Sequence, residues 1–163
     1  MSTVTREELI EGSLIQYARE GLLARGFPQE DWKMLESYPY GIQKLEGVNL
    51  IAAGFSFDDG GRQAELGSNL KERQHTAEFF VFGLTNTWAR NLANAIKFTL
   101  ESDENGMVPL RDVTVQPDLP IIDYLYLDTV FSHRQPLPDP EPWQEFTWIT
   151  TVKVTDFYYP TLA

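Results

Sequence analysis

Two stretches in the last third of the chain, residues 121–134 and 144–158, alternate apolar and polar side chains with the period of two that a β-strand imposes. In the second, Phe146, Trp148, Thr150, Val152 and Val154 alternate with Thr147, Ile149, Thr151, Lys153 and Thr155; in the first, Leu125, Leu127, Thr129 and Phe131 alternate with Tyr124, Tyr126, Asp128 and Val130. Both faces of the pair are substantially apolar, so one is expected to meet helices and part of the other a neighbouring molecule. Fourteen extended residues reach about 45 Å, whereas a compact domain of this length is about 40 Å across. Part of such a ribbon is expected to overhang. A two-stranded ribbon is marginal alone in water, which makes another copy of the protein the simplest cover.

Two other segments carry helical spacing. Leu9, Ile10, Leu14, Tyr17, Ala18 and Leu22 line one face of a helix predicted over residues 7–24. Thr5 and Glu8 form its capping box, and Gly26 is placed to end it. A second helix is predicted over 87–101, capped by Thr85 or Asn86, with Trp88, Leu92, Ile96 and Leu100 spaced by four beside Ala89 and Ala93.

Between the helices, residues 49–57 and 75–84 read as strands, the latter carrying the near-continuous apolar run Phe79, Phe80, Val81 and Phe82. Asp58, Asp59, Gly60 and Gly61 are a hairpin-turn signal. Residues 62–73 are polar and read as a short strand followed by a mobile loop. Residues 27–41 read as irregular with a short helical turn over 29–35, and 107–115 as a strand with a turn at 116–120. Hairpins outnumber crossovers in this order, so the expected fold is α+β: one domain, a mostly antiparallel sheet, helices on one face, and a long C-terminal β-hairpin.

Composition narrows the partners. The 163 residues are 42% hydrophobic and 13% aromatic, enough for one packed core. No run approaches a membrane span, and the first eight residues lack the basic-then-apolar pattern of a secretory leader. With no cysteine, disulfides and thiolate metal sites are excluded. Thirteen basic against 24 acidic side chains give a net charge of −11, and residues 101–163 hold 11 acidic and 3 basic ones. Gripping nucleic acid requires clustered cations to displace counterions. None cluster here, although an acidic wall would let DNA slide past.

Candidate chemistry is sparse. His75 and His133 sit in no metal-ligand spacing, and Ser132 and His133 point to opposite faces of a strand, which removes a triad. Asp112, Asp118, Asp123 and Asp128 fall close together as chance allows in an acidic chain. The Asp58–Asp59 pair lacks the later ligands of a calcium loop. No catalytic residue, metal or cofactor is expected. A small-ligand enzyme using aspartates with His75 or His133, and an adaptor without ring symmetry, remain as alternatives.

Tryptophans mark both cores and binding hot spots. Trp88, on the helix stripe, reads as core. Trp143 ends a loop of four prolines with no evident core to enter, and is read either as an interface anchor or as part of a solvated loop. Phe131, Pro138, Trp143 and Trp148, on the ribbon and its connecting loop, are the candidate interface residues.

Three parts together resemble the tail-terminator proteins of long-tailed, siphovirus-type bacteriophages. They are the N-terminal amphipathic helix; the strand-to-helix segment of residues 79–100, FFVFGLTNTWARNLANAIKFTL; and the closing strand whose residues 150–158 read TTVKVTDFY. The resemblance covers most of the chain and rests on pattern. It implies a structural subunit that closes into a hexameric ring on the tail tube and stops the major tail tube protein from adding further. The ring would offer a surface to the head-side connector or neck protein while genomic DNA passes unheld, in a virion assembled in the host cytoplasm. Another head-to-tail joining protein is the nearest alternative. A ring suits the residues, because one patch meets a different patch on the next subunit and closure leaves no free end.

Overall fold

A computed structural model describes residues 4–35, 48–57, 62–63 and 69–159. Along the chain run α1 (Arg6–Ala24), β1 (Trp32–Leu35), β2 (Asn49–Phe57), β3 (Arg62–Gln63), β4 (Lys71–Gly83), α2 (Asn86–Leu100), β5 (Met107–Arg111), β6 (Ile121–Arg134) and β7 (Phe146–Tyr158). The sheet order is β1-β2-β4-β7-β6-β5, with the short β3 pairing to the start of β4. Every pairing is antiparallel except β1 with β2. The fold is α+β as expected, and β6 and β7 are the C-terminal hairpin.

Both helices begin and end where local chemistry places them. The Thr5 hydroxyl accepts from the Glu8 N–H while Glu8 accepts from the Thr5 N–H, closing the capping box. At the other end Gly26 takes φ +88, and the N–H groups of Gly26 and Phe27 return to the carbonyls of Leu23 and Leu22. That pair of bonds is a Schellman stop, which a glycine accommodates without a Cβ penalty. Thr85 caps α2 by accepting from the Trp88 N–H.

The core lies between the helices and one face of the sheet. Ile10, Leu14, Ala18 and Leu22 of α1 and Leu92, Ile96 and Leu100 of α2 are buried with Phe79 and Val81 of β4 and Val152 and Val154 of β7. Thr150 is buried on the same face, and its hydroxyl donates to the Ala93 carbonyl, pinning the sheet to α2. Ser13 does the same between α1 and β5: its hydroxyl accepts from the Arg111 N–H and donates to the Arg111 carbonyl. The opposite, open face has its own small cluster, in which Leu50, Ala52 and Phe82 are covered by Leu35, Phe80 and Trp143.

Four expectations are corrected. The ribbon does not project beyond the sheet, because β4 is as long as β7 and pairs with it from Lys71–Tyr158 to Gly83–Phe146. That length comes from residues 71–73, expected in a mobile loop, which with Gln74 extend β4. They are polar because they lie at the sheet's end, where Arg73 bonds to Glu7 and Gln74 to Asp128. Residues 32–35, expected at the end of a helical turn, form an edge strand parallel to β2; only Gln29–Asp31 make a 3₁₀ turn. Trp32 and Met34 alternate into the core there, and the Asn49 side chain joins β2 to the turn by donating to the Asp31 carbonyl. β5 stops at Arg111, four residues early, where Asp112 accepts from the Thr114 N–H and starts a turn. The turn expected at 58–61 and the aromatic segment 38–41 lie outside the described residues.

Candidate subunit interface

Strand β6 turns both of its faces partly to solvent. Ile121, Ile122, Tyr124, Tyr126 and Phe131 are each between 42% and 51% exposed, and only Leu125 is fully buried. A single exposed apolar residue is ordinary. Five on one strand, four of them on its open face, are more than scattered exposure gives and mark a candidate association site.

The strand also has a free edge. Its first half pairs with β5, from Ile121–Arg111 to Tyr126–Met107, and its second half pairs only with β7 among the described residues. The boundary is a bulge, where the register with β7 shifts between Leu127 and Thr129. Asp128 holds that bulge by accepting from the Thr155 hydroxyl (2.6 Å) and the Gln74 amide (3.2 Å). Bulges and prolines are the usual guards of free edges. Pro109 sits in the middle of β5, whereas no proline or lysine interrupts residues 129–134 of β6.

Of the four candidate interface residues, Phe131 and Pro138 are exposed. Phe131 lies on the open face and stacks on His133, with ring centroids 5.8 Å apart. Trp143 folds back onto its own sheet, edge-on to Phe82 at 4.9 Å, and is half-buried there. Trp148 faces the helices, half-buried, and its indole N–H donates to the Asn86 side chain at 3.0 Å. The structure thus leaves Phe131 exposed on the same face of β6 as Tyr124 and Tyr126, and ties Trp143 and Trp148 into the subunit itself. Ile121, Ile122, Tyr124 and Tyr126 went unnamed as interface residues. Their signal was the apolar character of both strand faces.

At the far end of the sheet, α1 is anchored by charge. Asp156 is fully buried and accepts from Arg6 Nε (2.8 Å) and Nη2 (2.7 Å), and Arg6 also bonds Asp123 at 2.8 Å. The bond to Asp156 raises the Arg6 pKa above its ordinary value, burial opposing and Asp123 assisting. Glu7 is paired with Arg73 at 2.7 Å, and Arg73 lies over the Tyr158 ring at 4.9 Å. A hydrogen bond from its own backbone N–H holds the Glu7 carboxyl below the usual value, against burial and with help from Arg73. An open cleft lined by Arg6, Glu7, Arg73, Asp123, Tyr126 and Tyr158 marks this end.

The histidines are on opposite sides of the sheet. His75 is buried on the helix side, 3.9 Å from Asp156, while His133 is exposed on the open face beside Gln135. They share no site. Among the described residues no three His, Asp or Glu side chains come together as a metal site, and no helix is long and apolar enough to cross a membrane.

No protein-family model and no curated protein matches this chain. Its class is therefore defined by architecture: a helix-backed, mostly antiparallel sheet whose strand β6, flanked by β5 along its first half, exposes apolar side chains.

Proposed function

We propose that this chain is a ring-forming structural protein, the tail terminator of a long-tailed bacteriophage. The observation that carries the proposal is the exposed apolar strand β6, with Ile121, Ile122, Tyr124 and Tyr126 uncovered on the half that pairs with β5 and Phe131 on the half that, among the described residues, has no outer partner. A surface of this kind is stabilised when another subunit covers it. A six-membered ring does so with no end left over. The major tail tube protein would meet one side of that ring and the head-side connector the other.

The charge supports the same reading. In the acidic last third, Glu101, Glu104, Asp118, Asp128, Asp139, Glu141 and Glu145 are exposed. Such a surface repels DNA phosphates over about a Debye length, roughly 8 Å at physiological salt, so a genome passes without adhering. Native mass spectrometry with and without tail tubes tests the reading: a closed ring of fixed stoichiometry bound to tube ends is expected. A chain that stays monomeric at every concentration and ignores the tubes refutes it. Tail length in a mutant lysate separates the two ring proteins, since loss of a terminator gives overlong tails and loss of a neck protein leaves their length unchanged.

A further inference from the structure

The helix layer carries a cationic patch in an acidic chain. Residues 86–101 hold Arg90 and Lys97 against the single carboxylate of Glu101, and Arg25 at the end of α1 adds a third cation. Phe98 stands beside them, 50% exposed, with the Arg25 guanidinium 6.0 Å and the Lys97 ammonium 5.1 Å from its ring centroid. Lys97 is paired with Glu101 at 3.0 Å. Arg25 donates to the Thr99 hydroxyl, and neither it nor Arg90, two turns from Lys97 on the same side of α2, meets a carboxylate among the described residues.

The other side of the subunit carries a matching surface. The loop of residues 135–145 is folded onto the open face through Trp143, and it exposes Pro136, Pro138, Asp139, Pro140, Glu141 and Pro142 with no cation in its length. It is held in shape: the Gln135 N–H donates to the Thr147 carbonyl, the Gln144 N–H to the Glu141 carbonyl and the Glu141 N–H to the Gln144 side chain. The prolines fix φ as well. Docking such a loop costs little ordering. Because the loop lies on the open face and Phe98 in the helix layer, no copy can join its own pair.

We infer that the proline loop of one copy docks on Phe98 and its cations in the helix layer of the next, so that open face meets helix layer at each joint of the ring. This rests on the ring reading and supplies a contact for it. Charge makes the occupant a second copy. Each copy carries −11 and repels its neighbours, so a joint forms where a cationic patch meets an acidic surface, and this chain holds both on opposite sides, as a head-to-tail ring requires. Prolines pack on aromatic surfaces, while Asp139 and Glu141 approach Arg25 and Arg90. Phe131 and His133 lie on the same open face just before the loop, so the same neighbour covers them.

Photo-cross-linking tests the joint in the full-length protein. With p-benzoylphenylalanine in place of Phe98 and tail tubes present, irradiation is expected to bond that position to residues 136–142 of another copy, read as linked peptides by mass spectrometry. Charge reversal tests it independently. Arg90→Glu, near the N-terminal end of α2 where a carboxylate is tolerated, and Glu141→Lys should each weaken assembly about tenfold per joint at low salt in light scattering. Mixing the two variants should restore it, since every joint between unlike copies then pairs opposite charges. The cross-link keeps the test valid if Glu141→Lys disturbs the loop. Rings whose Phe98 position links to any other segment or to the tube protein, or whose assembly ignores both reversals, overturn this joint and leave the ring reading standing. Weakening without recovery in the mixture places the charges elsewhere and overturns it as well. Monomers under all conditions overturn both.

Discussion

Phe131→Ser weighs assembly against folding. Phe131 is 43% exposed on the open face of β6, and its ring stacks on the exposed His133. A phenylalanine presents about 200 Å² in an extended chain, so about 85 Å² is left to be covered by a neighbour. At about 25 cal/mol per Å² that is worth about 2 kcal/mol for each joint, or about 30-fold in its association constant. The same change also removes part of the about 115 Å² that Phe131 already buries within the subunit, so up to about 3 kcal/mol of subunit stability goes with it. Light scattering over a concentration series reads the first effect and urea unfolding of the monomer reads the second. Assembly weakened by tens of fold in a variant that is still folded, with stability lowered by no more than about 3 kcal/mol, is expected. The reasoning is refuted if the folded Phe131→Ser protein assembles like the unmodified one, or if the subunit loses clearly more than about 3 kcal/mol, because Phe131 would then serve mainly the fold.

Three further outcomes follow from the interior. Arg6→Met strands the Asp156 carboxylate in a fully buried position, which should cost about 3 kcal/mol and lower the melting temperature by about 6–12 °C; a loss under 1 kcal/mol in urea titration would show the pair is not holding α1. Gly21→Ala sets a methyl group against the Thr99 side chain where α1 crosses α2. Overpacking of about 1–3 kcal/mol exceeds the gain in helix propensity, so the melting temperature should fall, and Thr99→Ala in the same chain should restore it; no recovery would place the strain elsewhere. Glu7 has a carboxyl held below its ordinary value of 4.5. Its contribution is therefore fully present above about pH 4.5 and is lost as the pH falls through the lower, folded value. Glu7→Gln should make stability fall less steeply with acid below that point, by under about 1 kcal/mol for a partly exposed pair, and identical acid profiles would argue against the Arg73 contact.

Much of this fold is legible in residue order because its signals are local. A capping box, a glycine stop and a four-residue apolar stripe act within a turn or two of helix, so α1 and α2 are found nearly to the residue. Alternation marks β6 and β7 for the same reason, since the period of two belongs to the strand alone. The beginning of β4 was missed because residues 71–74 carry no apolar alternation; their strand is fixed by partners more than 80 residues away in β7. β1 was missed because four residues are too few for a period to register.

The sequence by itself determined the two helices, the long closing hairpin, the absence of disulfides and an acidic surface, because each depends on residue type and short spacing. Only the tertiary structure decided that Trp143 and Trp148 turn inward while Phe131 stays out, that Arg6 meets Asp156 across 150 positions, and that β4 runs the full length of β7. Those outcomes depend on which strands become neighbours. Strand order is set by packing the whole sheet against the helices, and no local pattern carries it.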